Sequence, residues 1–246
     1  MKIIISPAKK MQVETDAFVA TANPLFKAQT QQLLAYLRSL SFEELKALWK
    51  CSDKLAKENY QNLLEMQLET NLTPALLAYV GIQYQTMGPD VFSQAQFDYV
   101  QAHLRILSGF YGVLAPFDGV VPYRLEMQAK VKLNGSKDLY DFWGSQLYQA
   151  VYAQDDCVLN LASKEYAKAI ERYVKPKQKF VTCLFGELID GKVKQKATAA
   201  KMARGQMVQF LARQQVQDLA QVKTFNDLGY RFLPEKSSQT EYVFVK

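Results

Sequence analysis

The period of the hydrophobic pattern changes repeatedly along this chain, and that alternation is the feature that most limits its fold. The opening Lys2-Ile-Ile-Ile-Ser6 is a short continuous apolar run cut off by Pro7, the pattern of a buried strand. Helical spacing follows, with Leu33, Leu34, Leu37 and Leu40 on one face of 25–40. Ser41-Phe-Glu-Glu44 is a capping box for the next helix, which carries Leu45, Leu48 and Trp49. Ser52 can cap another, Thr73-Pro74 pairs an N-cap with a first-turn proline, and Ser93 with Gln96 opens a helix through His103 and Arg105.

Further along, Val121, Tyr123, Leu125 and Met127 alternate with polar residues as in a half-buried strand. A helix is expected from Asp138 to about Tyr152, a strand over 157–161, and a helix from Ser163 through Ile170. Runs 178–189 and 192–198 flank Asp190-Gly191, a strong hairpin signal. A helix over 199–216 presents Ala203, Met207, Phe210 and Leu211, and strands at 230–233 and 242–245 close the chain. The fold class is α/β, a mixed sheet with at least one antiparallel hairpin, surrounded by helices; a strict doubly wound pattern is not indicated. At 246 residues the chain reads as one domain, 1–246, or as two lobes, a helix-rich 1–118 and a basic 119–246.

Composition excludes several classes. The chain is 49% hydrophobic, too apolar for disorder, yet its uncharged run Ile106–Phe117 is interrupted by Gly109, Gly112 and Pro116 and falls short of the roughly 20 residues of a membrane span. Cys51, Cys157 and Cys183 are odd in number and far apart, which signals neither disulfides nor zinc. A cytoplasmic, monomeric protein with no cofactor and no membrane partner is expected. Charge is asymmetric: residues 1–129 hold 11 basic and 12 acidic side chains, whereas 130–246 hold 19 and 12. Such a bias suits anionic partners, or simply a solvated surface.

No familiar catalytic signature is present, and the one histidine, His103, excludes His-based triads and multi-His metal sites unless it acts alone. Polar clusters fall where strands and helices end. Ser6-Pro-Ala-Lys-Lys10 follows the opening strand, where α/β sheets place ligand loops. Leu104-Arg-Ile-Leu-Ser-Gly-Phe-Tyr-Gly112 has glycines that would let backbone N–H groups approach an anion, although two residues separate Gly109 from Gly112 where a helix–hairpin–helix has one. Arg124 and Glu126, two apart, share a face of their strand. Asn160-Leu-Ala-Ser-Lys-Glu-Tyr166 runs from a strand into a capped helix, a natural anion site. Lys201 and Arg204 share a helix face before Gly205. Each cluster also has an ordinary structural explanation: a turn, a cap or a solvated face.

Taken together, IIISPAK, SDKLA (52–56), HLRILSGFYGVLAPFD (103–118), PYRLEM (122–127), KDLYDFWG (137–144), NLAS-x-EY (160–166) and ARG (203–205) resemble the bacterial YaaA family of peroxide-stress proteins. The resemblance implies resistance to hydrogen peroxide through lowered intracellular iron, and duplex-DNA binding through a basic surface with a helix–hairpin–helix-like element, here Leu107–Gly112. Two expectations follow. In the first, the protein binds the DNA backbone without sequence preference: amides around Ser108, Gly109, Tyr111 and Gly112 hold a phosphate, and Lys9, Lys10, Arg105, Lys201 and Arg204 supply charge. In the second, it is an enzyme for a phosphate- or nucleobase-bearing small substrate, with a pocket of Ser6, Tyr123, Arg124, Glu126, Asn160, Ser163 and Tyr166 and with Lys9 and Glu126 as acid–base candidates. No metal ligand set is apparent.

Overall fold

The structure, a computed structural model, describes residues 1–14 and 18–246. Its centre is an eight-stranded mixed sheet formed by β1 (Lys2–Ile5), β2 (Leu104–Ser108), β3 (Gly112–Leu114), β4 (Cys157–Asn160), β5 (Lys179–Ile189), β6 (Lys192–Lys194), β7 (Arg231–Phe232) and β8 (Glu241–Val245). The order across the sheet is β7-β8-β5-β4-β1-β2-β3, with β6 paired to β5. The five inner strands β8, β5, β4, β1 and β2 are parallel, and the antiparallel pairs are confined to β7, β6 and β3. β1 lies between β4 and β2, with Ile3 opposite both Leu159 and Leu104. That position explains its unbroken isoleucines: a strand covered on both faces is apolar throughout, and Ile3, Ile4 and Ile5 are fully buried.

Helices surround the sheet: α1 (Lys27–Ser39), α2 (Phe42–Trp49), α3 (Asp53–Glu65), α4 (Ile82–Met87), α5 (Gln94–His103), α6 (Leu139–Trp143), α7 (Gln146–Val151), α8 (Lys164–Glu171) and α9 (Ala197–Gln214). The capping boxes at Ser41/Glu44 and Ser93/Gln96 are both formed. Asp190 and Gly191 turn the β5–β6 hairpin with φ of 52° and 70°, the left-handed pair that a two-residue loop requires. The helix expected over 138–152 is broken into α6 and α7 at Gly144, whose φ is 49°.

Three segments depart from expectation. Helix α5 stops at His103, and Leu104–Ser108 continues as a strand rather than as helix. With β3 it makes a buried β-hairpin, so no helix–hairpin–helix occurs at 104–114: Phe110 is 0% exposed and Tyr111 2%. Thr73-Pro74 pairs with Gly119-Val120, and only Ala75–Ala78 is helical after it. Residues 121–127 run without a strand partner.

Candidate functional site

The strand order reverses at β1: β2 adds to one side of it and β4 to the other. In open parallel sheets the loops leaving such a point at the carboxyl ends of the strands diverge, and a crevice opens between them. Here the loop after β1 begins at Ser6 and the loop after β4 ends at Ser163, the residue before α8. A cleft of about 550 Å³ opens there, walled by 6–10, 80–84, 123–126, the start of α8, and Lys201 and Arg204 of α9.

Short hydrogen bonds tie the floor together. The Ser163 amide donates to Ser6 Oγ at 2.8 Å, Ser6 Oγ lies 3.2 Å from Ser163 Oγ, and Tyr84 donates its hydroxyl proton to the Ser6 carbonyl at 2.9 Å. Ser163 therefore does not cap its own helix. Below them Asn160 is buried, with Nδ2 donating to Thr182 Oγ1 and Oδ1 accepting from the Ala162 amide.

Tyr123 sits at the head of a hydroxyl chain, 2.7 Å from Ser108 Oγ and 3.0 Å from the Tyr79 hydroxyl. Ser108 Oγ already accepts from the amides of Phe110 and Tyr111, so its proton points to Tyr123. The arrangement that leaves no proton stranded in the core has Tyr79 donate to Tyr123 as well, and Tyr123 turn its own proton to the cleft it lines. Burial pushes the Tyr123 hydroxyl up to about 12, so it is a donor at neutral pH.

Five cationic side chains, Lys9, Lys10, Arg124, Lys201 and Arg204, face two carboxylates, Glu126 and Glu165. Glu126 is held by Arg124 at 3.3 Å and by Lys9 at 3.2 Å. Burial, with Glu126 close by, raises the Glu165 carboxyl above its ordinary range. Arg204 has neither an ion pair nor a side-chain hydrogen bond among the described residues, and burial disfavours its charge. Its position follows from Gly205: a Cβ there would lie 2.1 Å from the Gln83 carbonyl, so only glycine lets α9 press against α4.

Among the described residues, four buried side-chain atoms lack a hydrogen-bond partner: Trp49 Nε1, Gln83 Nε2, Arg124 Nε and Arg204 Nε. Gln83, Arg124 and Arg204 line the cleft. Trp49 lines two neighbouring depressions, of about 370 and 520 Å³, which share Lys9 with it and so extend it toward α1–α3. Buried orphans are rare in folded proteins, and three of these four belong to residues that line the one cleft.

The structure thus brings Ser6, Lys9, Lys10, Tyr123, Arg124, Glu126, Ser163, Tyr166, Lys201 and Arg204 to one cleft, with Asn160 beneath it. It does not bring the hairpin residues there as phosphate donors. Ser108 Oγ takes the amides of Phe110 and Tyr111. Gly109 is packed so closely on the Leu125 carbonyl that a Cβ would come within 2.5 Å. Tyr111 accepts from the Val121 amide, and Gly112 is enclosed by Phe26, Trp143 and Leu147. Arg105 donates to the carbonyls of Gln101 and Leu104, outside the cleft. Sequence reading missed Gln83, Trp49 and Glu165. Only Glu165 lay in a singled-out segment, and a glutamine on a short helix carries no signal until Gly205 reveals what packs on it.

The fold and this cleft define an α/β protein with a predominantly cationic cleft where the order of its parallel strands reverses. A family model described as peroxide stress protein YaaA matches residues 1–236, and the chain belongs to that family. It is 56% identical over 246 residues to a UPF0246 protein of Pediococcus pentosaceus, covering 100% of this chain and 98% of the relative. It is 54% identical to one of Lactiplantibacillus plantarum, covering 100% and 99%, and 49% identical to one of Desulfitobacterium hafniense, covering 100% and 98%. No helix among the described residues is long and apolar enough to cross a membrane.

Proposed function

We propose that the protein is a cytoplasmic DNA-binding protein of the peroxide stress response, which contacts phosphate without reading sequence and limits iron-dependent oxidative damage to DNA. The observation that carries this reading is the excess of cations in the cleft: five basic side chains against two carboxylates, with Arg204 lacking any acidic partner. A half-buried guanidinium with no acidic partner is costly in the free protein, and an anionic ligand lowers that cost. Membership in a peroxide-stress family supplies the cellular setting. The contact surface is the cleft and its lysine rim, not the buried hairpin.

The test is fluorescence anisotropy of a labelled duplex of roughly 25 base pairs across a salt series. Binding should weaken with a log–log slope of about −0.9 per phosphate neutralised. The double variant Lys201→Glu/Arg204→Glu should abolish it. Binding that does not change with salt, or that survives the double variant, would refute the reading.

The concave form of the cleft favours a second reading, an enzyme for a small phosphate- or nucleobase-bearing substrate. Ser6, Ser163 and the Tyr123–Glu126 stretch, three separate segments, line one volume of about 550 Å³, the size of a small-molecule site. Lys9 and Glu126, 3.2 Å apart, are its acid–base candidates.

A further inference from the structure

We propose that the cleft is a site for a terminal phosphate, a phosphomonoester dianion, held by Arg204, Arg124, Gln83 and the uncapped amino end of α8. The inference rests on reading the cleft as a phosphate site, and it adds which form of phosphate enters.

The unpartnered buried atoms on its walls are Gln83 Nε2, Arg124 Nε and Arg204 Nε, and all three are N–H donors. No acceptor among the described residues is left unpaired in the same way. A nucleobase presents donors alongside acceptors, and a sugar hydroxyl must also donate; a phosphate dianion only accepts. With five cations against two carboxylates on the same walls, the complement of these unpaired donors is an oxyanion. The side chain of Gln83 is within a residue that is 8% exposed, and that of Arg124 is 10% exposed, so these donors lie below the surface.

The helix start supplies a second set of donors. Ser163 turns its side chain to Ser6 rather than to α8, and the Lys164 and Glu165 amides, in the first turn, have no partner within the helix. Ser163 and Glu165 both line the cleft, which places that positive end at its wall.

Position then selects the end of a chain over its middle. An internal diester of a duplex has a sugar on each side and only one negative charge, so it meets the cleft less deeply and with fewer free oxygens. A monoester carries about two charges near neutral pH, has three free oxygens, and can be inserted past the lysine rim. Inorganic phosphate, a nucleotide and the phosphorylated end of a DNA strand share this chemistry.

The experiment compares two short DNA strands identical except for a 5′-phosphate or a 5′-hydroxyl, with inorganic phosphate and a nucleoside 5′-monophosphate as competitors. The phosphorylated strand should bind at least about tenfold more tightly, the difference expected when charge-assisted hydrogen bonds are added. Both competitors should raise Tm. In Arg204→Met the preference and the Tm rise should vanish while the unliganded Tm stays the same or increases, because a half-buried charge without an acidic partner has been removed. A lower unliganded Tm in that variant would make Arg204 structural and overturn the proposal. Equal affinity for the two strands, with no effect of inorganic phosphate, would also overturn it while leaving salt-dependent DNA binding intact. Binding of phosphate and nucleotide without retention of either strand would support the terminal-phosphate site and refute the DNA reading.

Discussion

The hairpin at 104–114 and the cleft at the carboxyl end of β1 carry the same kinds of group, yet only the cleft leaves them beside open volume. The hairpin has glycines, backbone amides and a serine in a tight loop, the ingredients of an anion nest. Inside the fold each is engaged: Ser108 Oγ takes two amides, Trp143 donates to the Gly109 carbonyl, and Thr30 donates to the Phe110 carbonyl. The cleft has fewer glycines and no loop motif, but five cations there share two carboxylates, and three of its lining residues keep a buried N–H without a partner. Residue type gives a segment the capacity to bind an anion. Whether that capacity remains is decided by partners from distant parts of the chain.

The sharpest way to break this contrast is at the glycines. Alanine at Gly109 would place a Cβ 2.5 Å from the Leu125 carbonyl, and alanine at Gly205 would place one 2.1 Å from the Gln83 carbonyl. Neither obstacle is a flexible side-chain end, so each variant should lose about 3 kcal/mol or more in urea unfolding. A Gly109→Ala protein of unchanged stability would mean that the hairpin is open, as an anion loop must be. Next is Ser108→Ala, which leaves two buried amides and Tyr123 without their partner. A loss of about 2–4 kcal/mol is expected, against near zero if water reaches the loop.

A third measurement uses pH. Asp118, in the turn beyond the hairpin, accepts from the Ala115 amide at 2.8 Å, yet burial raises its carboxyl to about 6, outweighing that bond and the Arg105 charge. A carboxyl that titrates higher in the folded chain than in the unfolded one, where it lies near 4, binds protons preferentially when folded. Its contribution to stability is present below about pH 4 and is lost as the pH rises through about 6. Asp118→Asn keeps an acceptor for Ala115 and removes the titration. Melts between pH 4 and 7 should show a flatter profile and a gain of about 1–2 kcal/mol at pH 7. An unchanged profile would place Asp118 in contact with water.

Much of the cleft was legible in the sequence because its residues follow strand ends and precede helix starts, and local signals mark both. Ser6 follows a run of isoleucines ended by Pro7, and Ser163 follows the β4 run and precedes an amphipathic helix. The hairpin was misread because α5 passes into β2 at Leu104 with no glycine or proline to mark the change. A strand buried on both faces also lacks the alternation that identifies a half-buried one, and its pairing with β1 spans about a hundred residues. The opposite error occurred at 121–127. There the alternation of Val121, Leu125 and Met127 toward the core is real, but no strand lies beside them. Gln83 and Trp49 were invisible for a simpler reason: an orphaned donor is defined by the absence of a neighbour, and sequence does not record absences.

Lys201 provides the smallest effect and the cleanest separation of the two regions. It lies one helical turn from Arg204 on α9, lines the cleft and is exposed, with no ion pair among the described residues. Removing an exposed, unpaired lysine touches no packing, so Lys201→Ala should change stability by less than about 0.5 kcal/mol. If the cleft rim meets phosphate, the same variant should still weaken duplex binding and reduce the salt slope by about 0.9, one counterion's worth. A hairpin substitution cannot give that pair of results, since any change there must first disturb the core. A Lys201→Ala protein with an unaltered slope would move the DNA contact away from the cleft and leave the hairpin and α9 equally without a nucleic-acid role.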